Sequence, residues 1–266
     1  MRRGQTRPDR GGISTSAQSP EPEAESQSVS DLDRATQAIV TCNRCERLRS
    51  YCQRIGREKR AAYRQETYWA RPVPGFGDPR ARIVLVGLAP AAHGANRTGR
   101  VFTGDGHGGS GDFLMTALHA NGLANQPFSR GPGDGLVLID TWIAATVRCA
   151  PPDNKPTPAE IANCHPHLRA EIDALPRASV LVALGRIAFD ACLRLLRERG
   201  IRTSPRPVFE HGKVVRYPTA PVIVASYHPS RQNTNTGRLT PAMLRQVFRK
   251  ARALAEGHPE FGLRES

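Results

Sequence analysis

Ile83-Val84-Leu85-Val86-Gly87-Leu88-Ala89-Pro90-Ala91 is the stretch whose reading decides the fold. Its first four residues are a short, continuous, β-branched-rich run closed by glycine, the pattern of a strand covered on both faces. Three similar runs follow. Leu136–Ile139, with an extension toward Ala145, reads as the second strand, Val180–Leu184 as the third and Val222–Ala225, closed by Ser226, as the fourth. Between and after them lie helical stretches over 111–121, 158–174, 186–199 and 240–256, the last opened by Thr240 as N-cap with Pro241 at its first position. Alternating strands and helices predict an α/β fold, three layers α/β/α around a central four-stranded parallel sheet. Ligands of such sheets sit beyond the carboxyl ends of the strands. The loops after Val86, Ile143, Leu184 and Ala225 are therefore the places to look for chemistry.

Upstream, residues 1–34 are rich in Ser, Pro, Glu, Gln, Gly and Arg and carry few large apolar side chains, so they are expected to be a disordered tail. A short helix is expected over 31–39, and the charged 57–69 segment can continue helically before Pro72 and Pro74. One domain is expected over 35–258, with 259–266 as a C-terminal tail. The chain has 266 residues, 39% hydrophobic, with no apolar run of membrane-spanning length and no apolar stretch behind Arg2 and Arg3. A cytoplasmic protein without membrane contact is the expectation. Lys and Arg number 38 against 24 Asp and Glu, a net charge of +14, and only four of the cations are Lys. Arginine forks match phosphate oxygens, so a polyanion such as nucleic acid is a natural partner, although GC-rich coding also enriches Arg.

Six cysteines are present. Cys42 and Cys45 form a C-x-x-C pair at the start of the fold, away from the first turn of a βαβ unit, which argues against thioredoxin-like redox chemistry. Cys149 and Cys164 are the natural completing pair. Four thiolates hold either zinc or an iron–sulfur cluster, and the spacing leaves the metal open. Four unrelated buried cysteines are the plainer alternative. Cys192 follows an apolar helical face and reads as core, Cys52 as structural or free.

The loop from Gly87 to Asp105 is dense in small residues, and Ala89 and Ala91 let backbone N–H groups approach a ligand. Phe102 can stack on a base. Asp105 is the only carboxylate of the loop, a candidate base or electrostatic stabiliser, or else the N-cap of the next helix. After the fourth strand, His228-Pro229-Ser230 presents a donor at a strand end. Arg231, Gln232 and Asn233 can enter a DNA groove or fill the gap left by an extruded base.

Together these loops, with the segment Arg148-Cys149-Ala150-Pro151-Pro152-Asp153-Asn154-Lys155-Pro156, resemble the uracil-DNA glycosylase superfamily over residues 40–255, and within it the family 5, or B-type, enzymes. The resemblance implies a 4Fe–4S cluster on Cys42, Cys45, Cys149 and Cys164. It also implies base stacking by Phe102, a catalytic acid at Asp105, a pocket residue at Asn154 and a catalytic histidine at His228. Leu88 stands where much of the superfamily carries a polar or acidic side chain, a B-type trait that shifts the expected acid to Asp105. The implied activity is a monofunctional glycosylase of base excision repair, acting on DNA that contains uracil or other deaminated bases such as hypoxanthine. The resemblance further implies a monomer at the prokaryotic nucleoid. Two rivals remain at this point: a non-catalytic iron–sulfur DNA-binding protein on the same scaffold, and a small-molecule α/β enzyme with structural zinc.

Overall fold

The computed structural model describes Met1, residues 22–104 and residues 108–258, with the backbone alone over 22–30. Asp105, residues 2–21 of the expected tail and 259–266 lie outside the described residues. Four parallel strands form the middle of the sheet: β2 (Ile83–Gly87), β3 (Thr141–Ala145), β4 (Val180–Leu184) and β6 (Val222–Ser226). Two-residue antiparallel strands, β1 (Phe76–Gly77) and β5 (Val214–Val215), close its edges. The order is β1-β3-β2-β4-β6-β5, six strands where four were expected. Two residues are too few to show a period, so the edges left no mark in the sequence.

The second strand also sits further along than Leu136–Ile139. That run alternates, with Val137 and Ile139 exposed and Leu138 buried, and pairs only through an isolated Ala124–Leu138 bridge. The chain then turns at Asp140, at φ 51°, whose carboxylate accepts from the Arg82 backbone N–H and Nε, both at 2.8 Å. Only beyond this turn does it enter the sheet.

Helices cover both faces, giving the three-layer α/β/α arrangement. On one face Leu85, Ile143, Val182 and Val224 pack against α4 (Ser110–His119) and α8 (Pro241–Ala255) through Leu114, Leu118, Leu244 and Phe248. On the other, Val84, Val86, Leu181 and Ile223 pack against α5 (Pro158–Asp173) and α6 (Arg186–Glu198) through Leu168, Ile172, Phe189 and Leu196. Each such buried side chain contributes about 1.5–3 kcal/mol. Cys192 lies in this second layer, as expected, and burial pushes its thiol up to about 12. Thr240 caps α8, its hydroxyl accepting from Met243 N at 3.2 Å.

The first helix, α1 (Pro22–Val40), starts inside the segment expected to be disordered. Leu32, Ala35 and Ile39 are buried and α1 packs on α5, so the apolar spacing from Leu32 onward is enough to dock it. Next come α2 (Glu46–Glu58) and a single 3-10 turn at Ala61–Tyr63, so of the segment 57–69 only the end of α2 and that turn are helical. Two short helices lie in the strand-end loops, α3 (Ala95–Thr98) and α7 (Arg231–Asn235). No described helix is long and apolar enough to cross a membrane.

Candidate active site and thiol cluster

The parallel strands end together at Gly87, Ala145, Leu184 and Ser226. Gly185 N donates to Ser226 O at 2.8 Å, and Thr146 donates to Gly87 O through both N (2.8 Å) and Oγ1 (2.9 Å). Above this edge two loops meet. Phe102 sits in the left-handed region at φ 50°, and its ring stacks on His228 with centroids 5.8 Å apart at 29°. Gly87 makes this approach possible: a Cβ there would stand 2.8 Å from Phe102 Cε2. His228 is half-buried at the cleft, and loss of solvation lowers its pKa to about 4. At neutral pH its ring is therefore uncharged, and one ring nitrogen carries a proton it can donate.

Asn233 does not face outward with its neighbours. Its Nδ2 donates to the His228 carbonyl at 2.8 Å, so it fixes the histidine's backbone, while Arg231 and Gln232 are exposed on the same short helix. Ser230 caps that helix, its hydroxyl accepting from Asn233 N at 3.4 Å. Asn154 is exposed on a 3-10 turn after β3, in left-handed backbone at φ 57°. Asp105 follows Gly104 and is outside the described residues. The next helix starts at Ser110 with Gly109 as its cap, which removes the N-cap reading of Asp105.

Four of the six cysteines gather in one cluster, joined by Ala89 of the first strand-end loop. Cys52, Cys149 and Cys164 are buried with Leu48, Val147 and Ala150, and Cys45, Ala89 and Ala92 pack on the same cluster. One carboxylate assembles it. Glu160 receives Arg47 of α2 in a fork, Nε at 2.8 Å and Nη2 at 2.7 Å, and completes a capping box with Thr157 at the start of α5. Arg47 also holds the Glu160 carboxyl below its ordinary range. This joins the helix that follows Cys45 to the helix that carries Cys164. Burial raises the Cys45 thiol above its ordinary value, and the neighbouring Cys149 acts in the same direction. Burial pushes the Cys164 thiol up to about 12. Cys52 lies against Cys149, and its Sγ contacts Ala150 O at 3.6 Å.

Among the described residues no three His, Cys, Asp or Glu side chains could hold a single metal ion. Several thiols in an apolar casing are soft donors of the kind that hold zinc or an iron–sulfur cluster. Nearby, Arg148 is buried, its Nη2 donating to Glu171 at 2.8 Å while Nε and Nη1 have no protein acceptor. Its charge eases ionisation of Cys164. Buried cationic N–H groups beside thiols fit an anionic occupant.

A family model described as the Uracil DNA glycosylase superfamily matches residues 74–252. This chain belongs to that superfamily. Its relatives include the Type-5 uracil-DNA glycosylase of Thermus thermophilus, 50% identical over 225 residues, which are 85% of this chain and 99% of that protein. The Type-5 uracil-DNA glycosylase of Mycobacterium tuberculosis is 48% identical over 82% of this chain and 79% of its own. The Type-4 uracil-DNA glycosylase of Archaeoglobus fulgidus is more distant, 27% identical over 76% of this chain and 83% of its own. Within this glycosylase fold, the structure brings Phe102, His228 and Gly87 together and sets Ala89 between strand end and thiols. Sequence reasoning missed Arg97, Arg100 and Asp134, which hold the Phe102 loop, because single charged residues in glycine-rich segments carry no period.

Proposed function

We propose that this chain is a Type-5 uracil-DNA glycosylase of base excision repair, which hydrolyses the N-glycosidic bond of deoxyuridine in DNA and leaves an abasic site. The observation that carries the reading is the Phe102–His228 pair at the strand ends, an aromatic face beside an uncharged imidazole donor. The similarity to Type-5 enzymes over most of the chain supports it.

A base in the duplex is out of reach, so the nucleotide flips into the cleft at a cost of a few kcal/mol. Phe102 stacks on the base, Ala89 and Ala91 keep the wall close, and Asn154 reads its polar edge. As the bond to C1′ breaks, its electron pair goes to the base. His228 donates a hydrogen bond to a base carbonyl oxygen and stabilises that charge. Asp105 stabilises the positive sugar and orients a water whose oxygen bonds to C1′; the water's proton leaves through Asp105. Arg231 and Gln232 occupy the gap in the duplex or hold flanking phosphates. Cys42, Cys45, Cys149 and Cys164 hold a 4Fe–4S cluster that braces the fold beside the first loop. With no polar side chain at Leu88, the pocket also accepts other deaminated bases such as hypoxanthine. We further infer a monomer that works on nucleoid DNA.

Uracil-containing duplex incubated with the protein and then treated with alkali should be cut at the uracil positions. Binding without cutting would make the protein a DNA binder instead. Broad visible absorbance of a brown preparation is expected for the cluster, and a colourless preparation holding zinc would reject it.

A further inference from the structure

Phe102 pays for its position. A non-glycine residue at φ 50° is strained and persists only where its surroundings over-determine it. Two buried arginines do so from opposite sides. Arg97 donates to Gly104 O through Nη2 at 2.6 Å and to His93 O through Nε at 3.0 Å; it also pairs with Glu66 and lies 3.9 Å over the Tyr63 ring. Gly104, at φ 74°, has to be glycine here, because a Cβ would stand 2.6 Å from that same Nη2. Arg100 donates through Nε to Thr103 Oγ1 at 3.1 Å, and through Nη2 to Ser129 Oγ at 2.9 Å and Asp134 Oδ2 at 2.5 Å. Thr103 and Ser129 are also hydrogen-bonded to each other, and Gly104 N donates to Ser129 O at 3.2 Å.

Asp134 organises the far side. It accepts from Arg130 N at 2.7 Å and from Leu136 N at 3.0 Å; against burial, which pushes its pKa up, Arg100 and these backbone donors hold it at about 2. The turn that carries Phe102 is thus bolted to a 129–136 segment that belongs to none of the four strand-end loops.

We propose that Arg100 and Asp134, with Arg97, are positioning residues for base excision: they hold Phe102 in its left-handed conformation over Gly87, where it meets the flipped base. This rests on the reading that Phe102 stacks on that base. The arginines touch neither base nor sugar and act through the aromatic ring.

The test is a double-mutant cycle on single-turnover excision from uracil-containing duplex, with DNA affinity by anisotropy and stability by urea titration. Arg100→Met should slow excision roughly tenfold or more, as expected for a misplaced reacting group, with the Kd for DNA changed less than about twofold. Thr103→Val removes the Nε acceptor together with the hydroxyl's bonds to Ser129 and Val101 O, leaves the Arg100–Asp134 pair in place, and should show a smaller loss in the same direction with the fold intact. In a Phe102→Ala background both substitutions should cost almost nothing further, since the group they position is gone. Additive losses, or full rate in Thr103→Val and Arg100→Met, would overturn the proposal alone. Full rate in Phe102→Ala by itself would overturn the stacking reading and the proposal with it.

Discussion

Gly87→Ala should damage excision while sparing the fold. The residue ends β2 without a positive φ, so alanine is free to adopt its backbone conformation. The added Cβ meets Phe102 Cε2 at 2.8 Å and Cζ at 3.0 Å, while the next nearest atom, Ala144 O, stands at an ordinary 3.7 Å. Carbon atoms rest about 3.5–4.0 Å apart, so the ring must retreat by roughly 0.7–1.2 Å. The chain just after it is held by the Arg100 bond to Thr103 and the Arg97 bond to Gly104 O, so the displacement falls on the ring and disturbs its stacking on His228. A misplacement of about 1 Å at a reacting centre can cost on the order of 100-fold in rate. The expectation is a single-turnover rate reduced roughly 10- to 100-fold, with the urea midpoint little changed. Removing the obstruction supplies the control: in Phe102→Ala, the added Gly87→Ala should have no further effect. A Gly87→Ala enzyme at full rate, or one whose loss persists undiminished without the Phe102 ring, would refute the reasoning.

Three further outcomes follow from charges and thiols. Glu171→Leu strands Arg148, 1% exposed, and leaves the Gly75 N–H that now donates to Glu171 Oε1 at 2.7 Å without its acceptor. Breaking a buried pair in this way costs about 3–5 kcal/mol, and Arg148→Met with Glu171→Leu should recover much of it in urea titration. His228 and His167 both have folded pKa values lowered to about 4 by burial, against 6.5 when free. The unfolded chain therefore binds more protons between those values; their contribution is fully present above pH 6.5 and is lost as pH falls toward 4, which unfolding midpoints against pH will show. Cys164→Ser should bleach the visible absorbance expected of the cluster and lower the urea midpoint, whereas unchanged colour would remove Cys164 from the ligand set.

The central strands were legible because Ile83–Val86, Val180–Leu184 and Val222–Ala225 are continuous β-branched runs, and burial on both faces demands that composition. Leu136–Ile139 misled for the same reason: it is apolar enough to be a strand, but nothing local announces the Asp140 turn, which depends on Arg82 fifty-eight residues earlier. The helix at Pro22 was hidden by its polar composition, since docking on α5 is a tertiary event. In the site, Phe102 and His228 were legible from their strand-end loops. Asn233 was not, because an exposed groove-binding amide and one turned back on a carbonyl look alike in sequence. Asp134, set in Gly131-Pro132-Gly133-Asp134-Gly135, reads as a turn residue; its bond to Arg100 exists only once both loops are folded.

The outermost strands bear on how copies of this protein behave toward one another. Each is two residues long and runs against its neighbour. A long free edge is a template on which another chain can add a strand. Here each outermost strand is only two residues long, too short a template for another chain to extend. A protein crowded along a polyanion, at high local concentration, is thereby guarded against growing into sheets with its own kind.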